Sequence, residues 1–428
     1  WFCKHGSVRS RLRSTVFSVP STCAMSKRSR WELSDSESSD ASGDSCETKR
    51  QALDHCTLRN DDRESSGISK HGLLGKNSTL VKCLDLSHQP TLVSDNLKLR
   101  EFVRSAGSST QYYVDSAPLG EGSFGLVYRA QLPSGESVAL KHLKHLVGRK
   151  KLVPLSVVRE VHALSRPELA HPNIIGYHGL GLGSDGRIFV MLELCSIDLC
   201  QLILRLGRRG GALFSSEVRF IFLRVLRGLE AIHECGLMHR DIKPSNILIG
   251  PDQVKICDFG TARSRNELPE SKASPLSPGR HVTTISYRAP ELLLGARNYD
   301  SSVDLWSAGV VFAEMLLLRP LFPRDTTTTE CAQLARVFKV IGTPNERTWP
   351  GFGALSKGVR FPSCSPGLQT SMMQTGWVGS AGYDLLYGLL NCDPRTRPSA
   401  AMAGSHSFFS EEPKERAPRQ VLLTLDDA

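Results

Sequence analysis

The sequence predicts an α+β chain of two lobes, a small antiparallel β-rich lobe followed by a larger, mainly α-helical one. Three observations predict it. From Tyr112 onward, "YYVDSAPLGEGSFGLVYRAQLPSGESVALKHL" alternates apolar residues with Gly and Pro turn signals, the pattern of a meander of strands. Later the period lengthens: in "SSEVRFIFLRVLRGLEAIHECG", Val218, Ile221, Phe222, Val225, Leu226, Leu229 and Ile232 recur at helical spacing. Finally, 428 residues that are 40% hydrophobic suffice for one large two-lobed core, and no internal repeat divides them.

Taken in order, the chain opens on Trp1 and reaches its first methionine at Met25. Arg9, Arg11 and Arg13 among many Ser and Thr, with no acidic residue, have the composition of an organelle transit peptide. The blander reading is favoured, that residues 1–24 are leader upstream of a start at Met25, or that the chain is a fragment. Residues 1–75 as a whole read as a disordered N-terminal extension, because the Ser, Asp, Glu and Lys of "SKRSRWELSDSESSD" leave too few apolar groups for a core. "SKRSR" is a short candidate nuclear address. Residues 76–111, richer in Leu and Val, read as a partly ordered linker. The small lobe is expected over about 112–194 and the large one over about 195–409, with a tail at 410–428. In the long helix, Ser215 or Ser216 is the expected cap and Gly236 the expected stop. The run "VVFAEMLLL" is expected as a short buried helix, well under the roughly 18–20 residues of a membrane span.

Composition narrows the function. The net charge is +10, but Lys and Arg are spread along the chain and do not interleave with aromatics. That argues against direct nucleic-acid binding. The twelve cysteines form no CxxC pair and read as reduced thiols of a cytosolic or nuclear protein.

Chemistry enters with the glycines. Gly120, Gly122 and Gly125 form GxGxxG with Val127 just beyond. A dinucleotide fold uses the same spacing ahead of a helix, but here "LVYRA" continues as a strand. "VALK" follows, ending at Lys141, which suits a hairpin lid over phosphates with a lysine on the next strand. "HRDIKPSN" sets Asp241 and Asn246 on one loop, and "DFG" adds Asp258. One or two carboxylates beside phosphate oxygens are what Mg²⁺ requires. "APE" closes the set at residues 289–291.

With these motifs in this order, residues 112–409 resemble a eukaryotic protein kinase. "SYRAPELLLGARNYDSSVDLWSAG", "VFKVIGTPNERTWPGF" and "DPRTRPSAAMAGSHSFF" are similar to the cyclin-dependent kinases, and "PLSVVRE" at 154–160 to the PITSLRE type. The resemblance implies a bilobal kinase fold with one regulatory helix in the small lobe, and phosphoryl transfer from ATP with Mg²⁺ to Ser or Thr of proteins. It implies that Lys141 holds the α- and β-phosphates, oriented by Glu160. Asn246 and Asp258 hold the metal, Asp241 receives the acceptor's proton, and Lys243 stabilises the transferred charge. Leu119, Gly120, Gly122, Gly125, Val127, Ala139, Glu193, Cys195 and Leu248 would surround the nucleotide, with Leu192 guarding its inner end. A cyclin-type subunit would dock on 154–160, and Arg288 would shape a pocket for proline after the acceptor, since proline offers no N–H to leave unpaired. A nuclear role follows, with the cytoplasm as a second location. His239 and Cys257 read as core residues, Asp304 as an anchor for the catalytic-loop backbone, and Arg397 as the buried partner of Glu291.

Departures from the family pattern bear on regulation. Thr261 stands in "DFGTAR" where relatives read Leu, and Ser286 replaces a large aromatic. A β-branched residue after DFG goes, in this family, with threonine as acceptor. Ser123 and Phe124 remove the tyrosine through which relatives silence the glycine loop. Gly279 occupies the place of the activating threonine, although Arg159, Arg240 and Arg263, the family's phosphate clamp, are all present. Two solutions stay open at this point: phosphorylation of Ser277, which precedes Pro278, or an acidic side chain of the partner.

Overall fold

The computed structural model describes residues 102–105, 111–122, 125–132, 134–143, 155–183, 187–264, 285–323, 329–373, 379–411 and 414–418. The extension at 1–75 and Ser277 lie outside these residues, as do most of the 76–111 linker and Ser123 and Phe124.

The small lobe is built on strands β1 (Phe102–Ser105), β2 (Gln111–Gly122), β3 (Gly125–Gln131), β4 (Ser137–His142), β5 (Tyr177–Gly183) and β6 (Ile188–Glu193). They pair antiparallel in the order β1-β2-β3-β4-β6-β5, and β1 then meets β5, so the sheet closes into a barrel. The sequence placed the start of this lobe near 112. The four residues of β1 extend it, because the free edges of β2 and β5 both need a partner. Register sets Val127 opposite Lys141 and Ala139 opposite Leu192. Helix α1 (Leu155–Leu164) lies in the chain between β4 and β5. It buries Val157, Glu160, Val161 and Leu164, one stripe at helical spacing.

The large lobe begins after a two-residue strand, β7 (Ile197–Asp198), with α2 (Leu199–Arg208) and α3 (Ser215–Glu234). Asp198 caps α2 by accepting the Gln201 N–H at 2.9 Å. The expected serine cap of α3 is corrected: Ser215 and Ser216 are its first two residues and Phe214 is the cap. The Glu217 carboxylate reaches back to accept the Phe214 N–H at 2.9 Å, the glutamate half of a capping box. At the other end Gly236 turns the chain at φ +69°, in the left-handed region. Two short strands follow, β8 (Leu237–Met238) and β9 (Ile247–Ile249), and Gly228 lets α3 press onto the next, β10 (Val254–Ile256): a Cβ there would stand 2.8 Å from the Asn173 carbonyl oxygen and 2.9 Å from Ile256 Cδ1. That contact fixes the strand leading into Asp258.

Beyond it come β11 (Arg263–Ser264), α4 (Pro290–Leu293), α5 (Ser302–Leu317) and α6 (Glu330–Ile341). The apolar run expected as a short helix is the C-terminal part of α5, a 16-residue helix buried nearly all round. Among the described residues no helix is long and apolar enough to cross a membrane.

The described part of the tail packs on α3. Arg219, 5% exposed in its side chain, donates to the Phe408 carbonyl at 2.7 Å and to Glu411 at 2.9 Å. Arg224 pairs with Glu415 at 3.0 Å, and the Arg416 N–H donates to the Ser216 carbonyl.

Candidate active site

The site lies where β3, β4 and α1 meet the loops of the large lobe. Lys141 Nζ donates to both Glu160 oxygens, at 2.7 and 2.9 Å, and to Asp258 Oδ1 at 3.3 Å. Lys141 and Glu160 are 5% and 0% exposed, so an unpaired charge here would be costly. Burial works against the charge of Lys141, but Glu160 and Asp258 outweigh it and hold the ammonium above its usual range. Burial likewise pushes Asp258 up, and the charges of Lys141, His239 and Lys243 outweigh it, so this carboxyl sits below its usual range. Asp258 is a metal ligand candidate that stays ionised.

The catalytic loop hangs from one buried carboxylate. Asp304 on α5 accepts the His239 N–H at 2.9 Å and the Arg240 N–H at 2.7 Å, and bonds His233 Nε2 at 2.9 Å. Arg240 is thereby held at φ 65°, a conformation that costs a non-glycine residue about 1–2 kcal/mol. His239 is fully buried, with Nε2 on the Cys257 carbonyl at 3.0 Å and its ring edge-on to Phe259. Next in the loop, Asp241 Oδ2 accepts from Lys243 Nζ at 2.7 Å and from Asn246 Nδ2 at 3.1 Å. Burial raises the Asp241 carboxyl against the pull of Lys243, which brings it nearer the range of a working base.

A divalent metal fits these groups. Asn246 Nδ2 also donates to the Asp241 carbonyl at 2.8 Å, which leaves its side-chain oxygen as a hard donor to add to the ionised Asp258. Among the described residues no group of three or more His, Cys, Asp or Glu forms a ready-made cage. Mg²⁺ needs none, since two protein oxygens plus phosphate oxygens and water suffice.

Around the expected nucleotide site, Ala139 and Leu192 belong to the large core, and Val127, Cys195, Leu248 and Cys257 pack against it. Leu119, 51% exposed, stands outside that cluster on β2, with Gly120, Gly122 and Gly125 at the β2–β3 turn. The Glu193 side chain pairs with Lys255 at 2.8 Å and accepts the Gly176 N–H at 3.2 Å, and its own N–H donates to the Gly176 carbonyl at 2.9 Å, so both are engaged within the fold. Burial pushes the Cys195 thiol up to about 12 and the Cys257 thiol well above its ordinary value, so both are inert. The Arg240 guanidinium donates to Thr261 and Tyr299; Arg263 lies on β11 opposite Met238, and Arg159 is half-buried on α1. Arg288 pairs with Glu330 on α6 at 2.7 Å. Sequence reasoning missed Lys255, Glu330 and Tyr299, each joined to its partner across a long stretch of chain.

Close to the APE motif, the Glu314 carboxyl accepts the Tyr287 O–H at 2.7 Å and the Leu321 N–H at 3.3 Å. Burial pushes it up to about 7 from 4.5. A carboxyl raised in the folded state binds its proton more tightly there, so stability falls as pH climbs from about 4.5 to about 7. Glu314→Gln should flatten that part of the pH–stability curve; a difference curve between the two proteins with no slope over this range would contradict it.

A bilobal fold with a buried Lys–Glu–Asp triplet between its lobes, and a base and an amide on one loop beside it, defines a phosphotransferase of the protein kinase class. Comparison with known proteins agrees. The protein kinase domain family model matches residues 113–409. The chain is 35% identical over 299 residues to "Probable cyclin-dependent kinase 10" of Dictyostelium discoideum, covering 69% of this chain and 78% of that one. It is 37% identical over 303 residues to "Serine/threonine-protein kinase PITSLRE" of Drosophila melanogaster, covering 68% and 30%. It also spans only 41% of the length of "Cyclin-dependent kinase 11.1" of Caenorhabditis elegans, at 36% identity over 306 residues, 70% of this chain. Among solved structures it is similar to a chain of the Chaetomium thermophilum CAK complex bound to ATP-γ-S, with TM-score 0.61, 35% identity, and 72% and 94% of the two chains covered. The chain belongs to the protein kinase family and, within it, to the cyclin-dependent kinases.

Proposed function

We propose that this chain is an active serine/threonine kinase that transfers the γ-phosphoryl group of ATP to Ser or Thr followed by Pro, with a cyclin-type subunit docked on α1, in the nucleus. One observation carries the reading: Lys141 bridges Glu160 and Asp258, with Asp241, Lys243 and Asn246 bonded to one another on the adjoining loop. A non-catalytic relative has no use for all six.

In this reading Lys141, held charged by Glu160, positions the α- and β-phosphates. Asp241 orients the acceptor hydroxyl and takes its proton as the oxygen bonds to the γ-phosphorus and the bond to ADP breaks. Lys243, against Asp241, offsets the charge on the transferring group. Asn246 and Asp258 would hold Mg²⁺, which supplies charge neutralisation on the phosphates when bound.

Support for the partner comes from α1, where Leu155 is 60% exposed at the start of the helix that carries Glu160. The family resemblance supports proline after the acceptor, and "SKRSR" supports the nucleus. The test is transfer of labelled phosphate to Thr-Pro, Ser-Pro and Thr-Ala peptides by the full chain purified with its associated subunits. Equal use of Thr-Ala would overturn the proline requirement.

Thr261 bears on the acceptor. We expect Thr-Pro to be used better than Ser-Pro, and Thr261→Leu to move the preference toward serine. A peptide array on which the variant and parent rank the two acceptors alike would contradict this.

A further inference from the structure

Helix α2 carries a face that the catalytic reading does not use. It buries Leu199, Leu202, Ile203 and Leu206. Its opposite face presents Gln201, Leu204, Arg205 and Arg208, all exposed, at the spacing of one helical stripe. Such a face is ordinarily polar throughout. Here Leu204, 50% exposed, stands among the polar groups beside two arginines. Phe214, 65% exposed, follows at the far side of a tight corner. In that corner Gly210 turns at φ +63° and the Gly211 N–H donates to the Leu206 carbonyl at 3.0 Å.

The charge around this corner is of one sign. From Leu199 to Ser216 the chain holds Arg205, Arg208 and Arg209 and no Asp or Glu. A fourth arginine comes from a distant segment. Gly207 packs against the end of α5, with its Cβ position 3.4 Å from the Leu318 carbonyl oxygen, and exposed Arg319 is the next residue. Among the described residues Arg205, Arg208 and Arg319 form no ion pair. The carboxylates that flank the segment are engaged. Asp198 accepts the Gln201 N–H at 2.9 Å and Gln201 Nε2 at 2.8 Å, and Glu217 accepts the Phe214 N–H. The helix macrodipole accounts for cations in the last turn of α2. It accounts neither for Arg319 nor for a leucine and a phenylalanine exposed in the same neighbourhood.

We propose that the α2–α3 corner is a docking surface for an acidic segment of a partner protein, its carboxylates meeting Arg205, Arg208 and Arg319 and an apolar side chain of the same segment covering Leu204 and Phe214. The exposed leucine favours a peptide over a nucleic acid, whose phosphates would leave it uncovered. Helix α2 rises about 15 Å over its ten residues, so the corner stands away from Glu193 and Cys195 before its start, and docking leaves the nucleotide site open. The inference rests on the fold alone and not on the kinase reading.

Fluorescence anisotropy on the full chain purified with its associated subunits tests it with three labelled probes. The first is a peptide of glutamates interrupted by leucines. The second has serine for each leucine, and the third is a single-stranded oligonucleotide of the same charge. Wild type should bind the first about tenfold more tightly than the other two, and about tenfold more weakly when salt rises from about 50 to about 500 mM. Arg205→Glu with Arg208→Glu should cost about a hundredfold in affinity, and Arg319→Glu or Leu204→Ser about fivefold each. Arg205→Lys with Arg208→Lys, which keeps the charge, should stay within about threefold. Melting temperatures within about 2 °C of wild type separate lost contact from lost structure; where the double reversal exceeds that, Arg319→Glu and Leu204→Ser decide. Four outcomes each overturn the inference: no binding of the first probe by wild type, equal binding of the serine probe, tighter binding of the oligonucleotide, or folded charge-reversed variants that bind the first probe within twofold of wild type.

Discussion

Asp241→Asn should lower kcat about a thousandfold while leaving ATP affinity within a few fold, the loss expected when a general base is removed without disturbing its surroundings. Asn is nearly the same shape, so Lys243 and Asn246, which donate to Asp241 Oδ2 at 2.7 and 3.1 Å, keep an oxygen to bond. What goes is the charge that orients the acceptor hydroxyl and the lone pair that takes its proton. The groups expected to hold the nucleotide, Lys141 with Glu160 and Asp258, bond among themselves rather than to Asp241, so binding should survive. Single-turnover transfer to a Thr-Pro peptide and ATP titration of the same preparation separate the two quantities. A rate within tenfold of wild type would remove Asp241 from the role of base.

The largest effect on stability is expected from Arg397→Leu. Arg397 and Glu291 form a two-pronged pair, both bonds 2.7 Å, with side chains 0% and 4% exposed. The guanidinium also donates to the carbonyls of Asn391 at 2.7 Å, Ser302 at 3.0 Å and Cys392 at 3.2 Å, and lies 5.2 Å from the centre of the Trp306 ring. Truncating it strands a carboxylate and three carbonyls out of reach of water, and breaking such a buried pair costs about 3–5 kcal/mol. Leucine on both sides spares the buried charge, so Glu291→Leu with Arg397→Leu should lose less than Arg397→Leu alone. Urea unfolding of the three variants measures this. A single variant within 1 kcal/mol of wild type would mean the pair is not buried in solution.

Much of this architecture is written locally and is therefore readable. The change of period from strand to helix, the glycines of the β2–β3 turn and the residues of "HRDIKPSN" each depend on neighbours a few positions away. The pairing of Arg397 with Glu291 and the anchoring role of Asp304 were also legible, but through the family pattern rather than through spacing. What escaped depends on partners distant in the chain. Nothing in "FVRS" marks a strand; β1 exists because β2 and β5 leave edges to fill. The cap of α3 was misplaced because the helix starts one residue earlier than its serines suggest, with Phe214 at the cap and its N–H held by the Glu217 carboxylate three residues inside. Tyr299 gave no signal, since a tyrosine hydroxyl near an arginine is visible only once 59 intervening residues have folded back. Residues 265–284 lie outside those described, and the pocket for proline was read from the family pattern around Arg288.

The tail on α3 sets an order on biosynthesis. Arg219 and Arg224 sit near the middle of the chain, yet their carboxylate partners, Glu411 and Glu415, are 192 and 191 residues downstream. A ribosome that has just finished α3 has made a helix with a buried arginine and nothing to bury it. The nascent large lobe must therefore hold Arg219 hydrated until the segment from Phe408 to Arg416 emerges, and only then can the helix seal. Stalling or premature termination just short of Phe408 would release a chain with every catalytic motif and an unclosed lobe, the kind of product that chaperones retain and proteases clear.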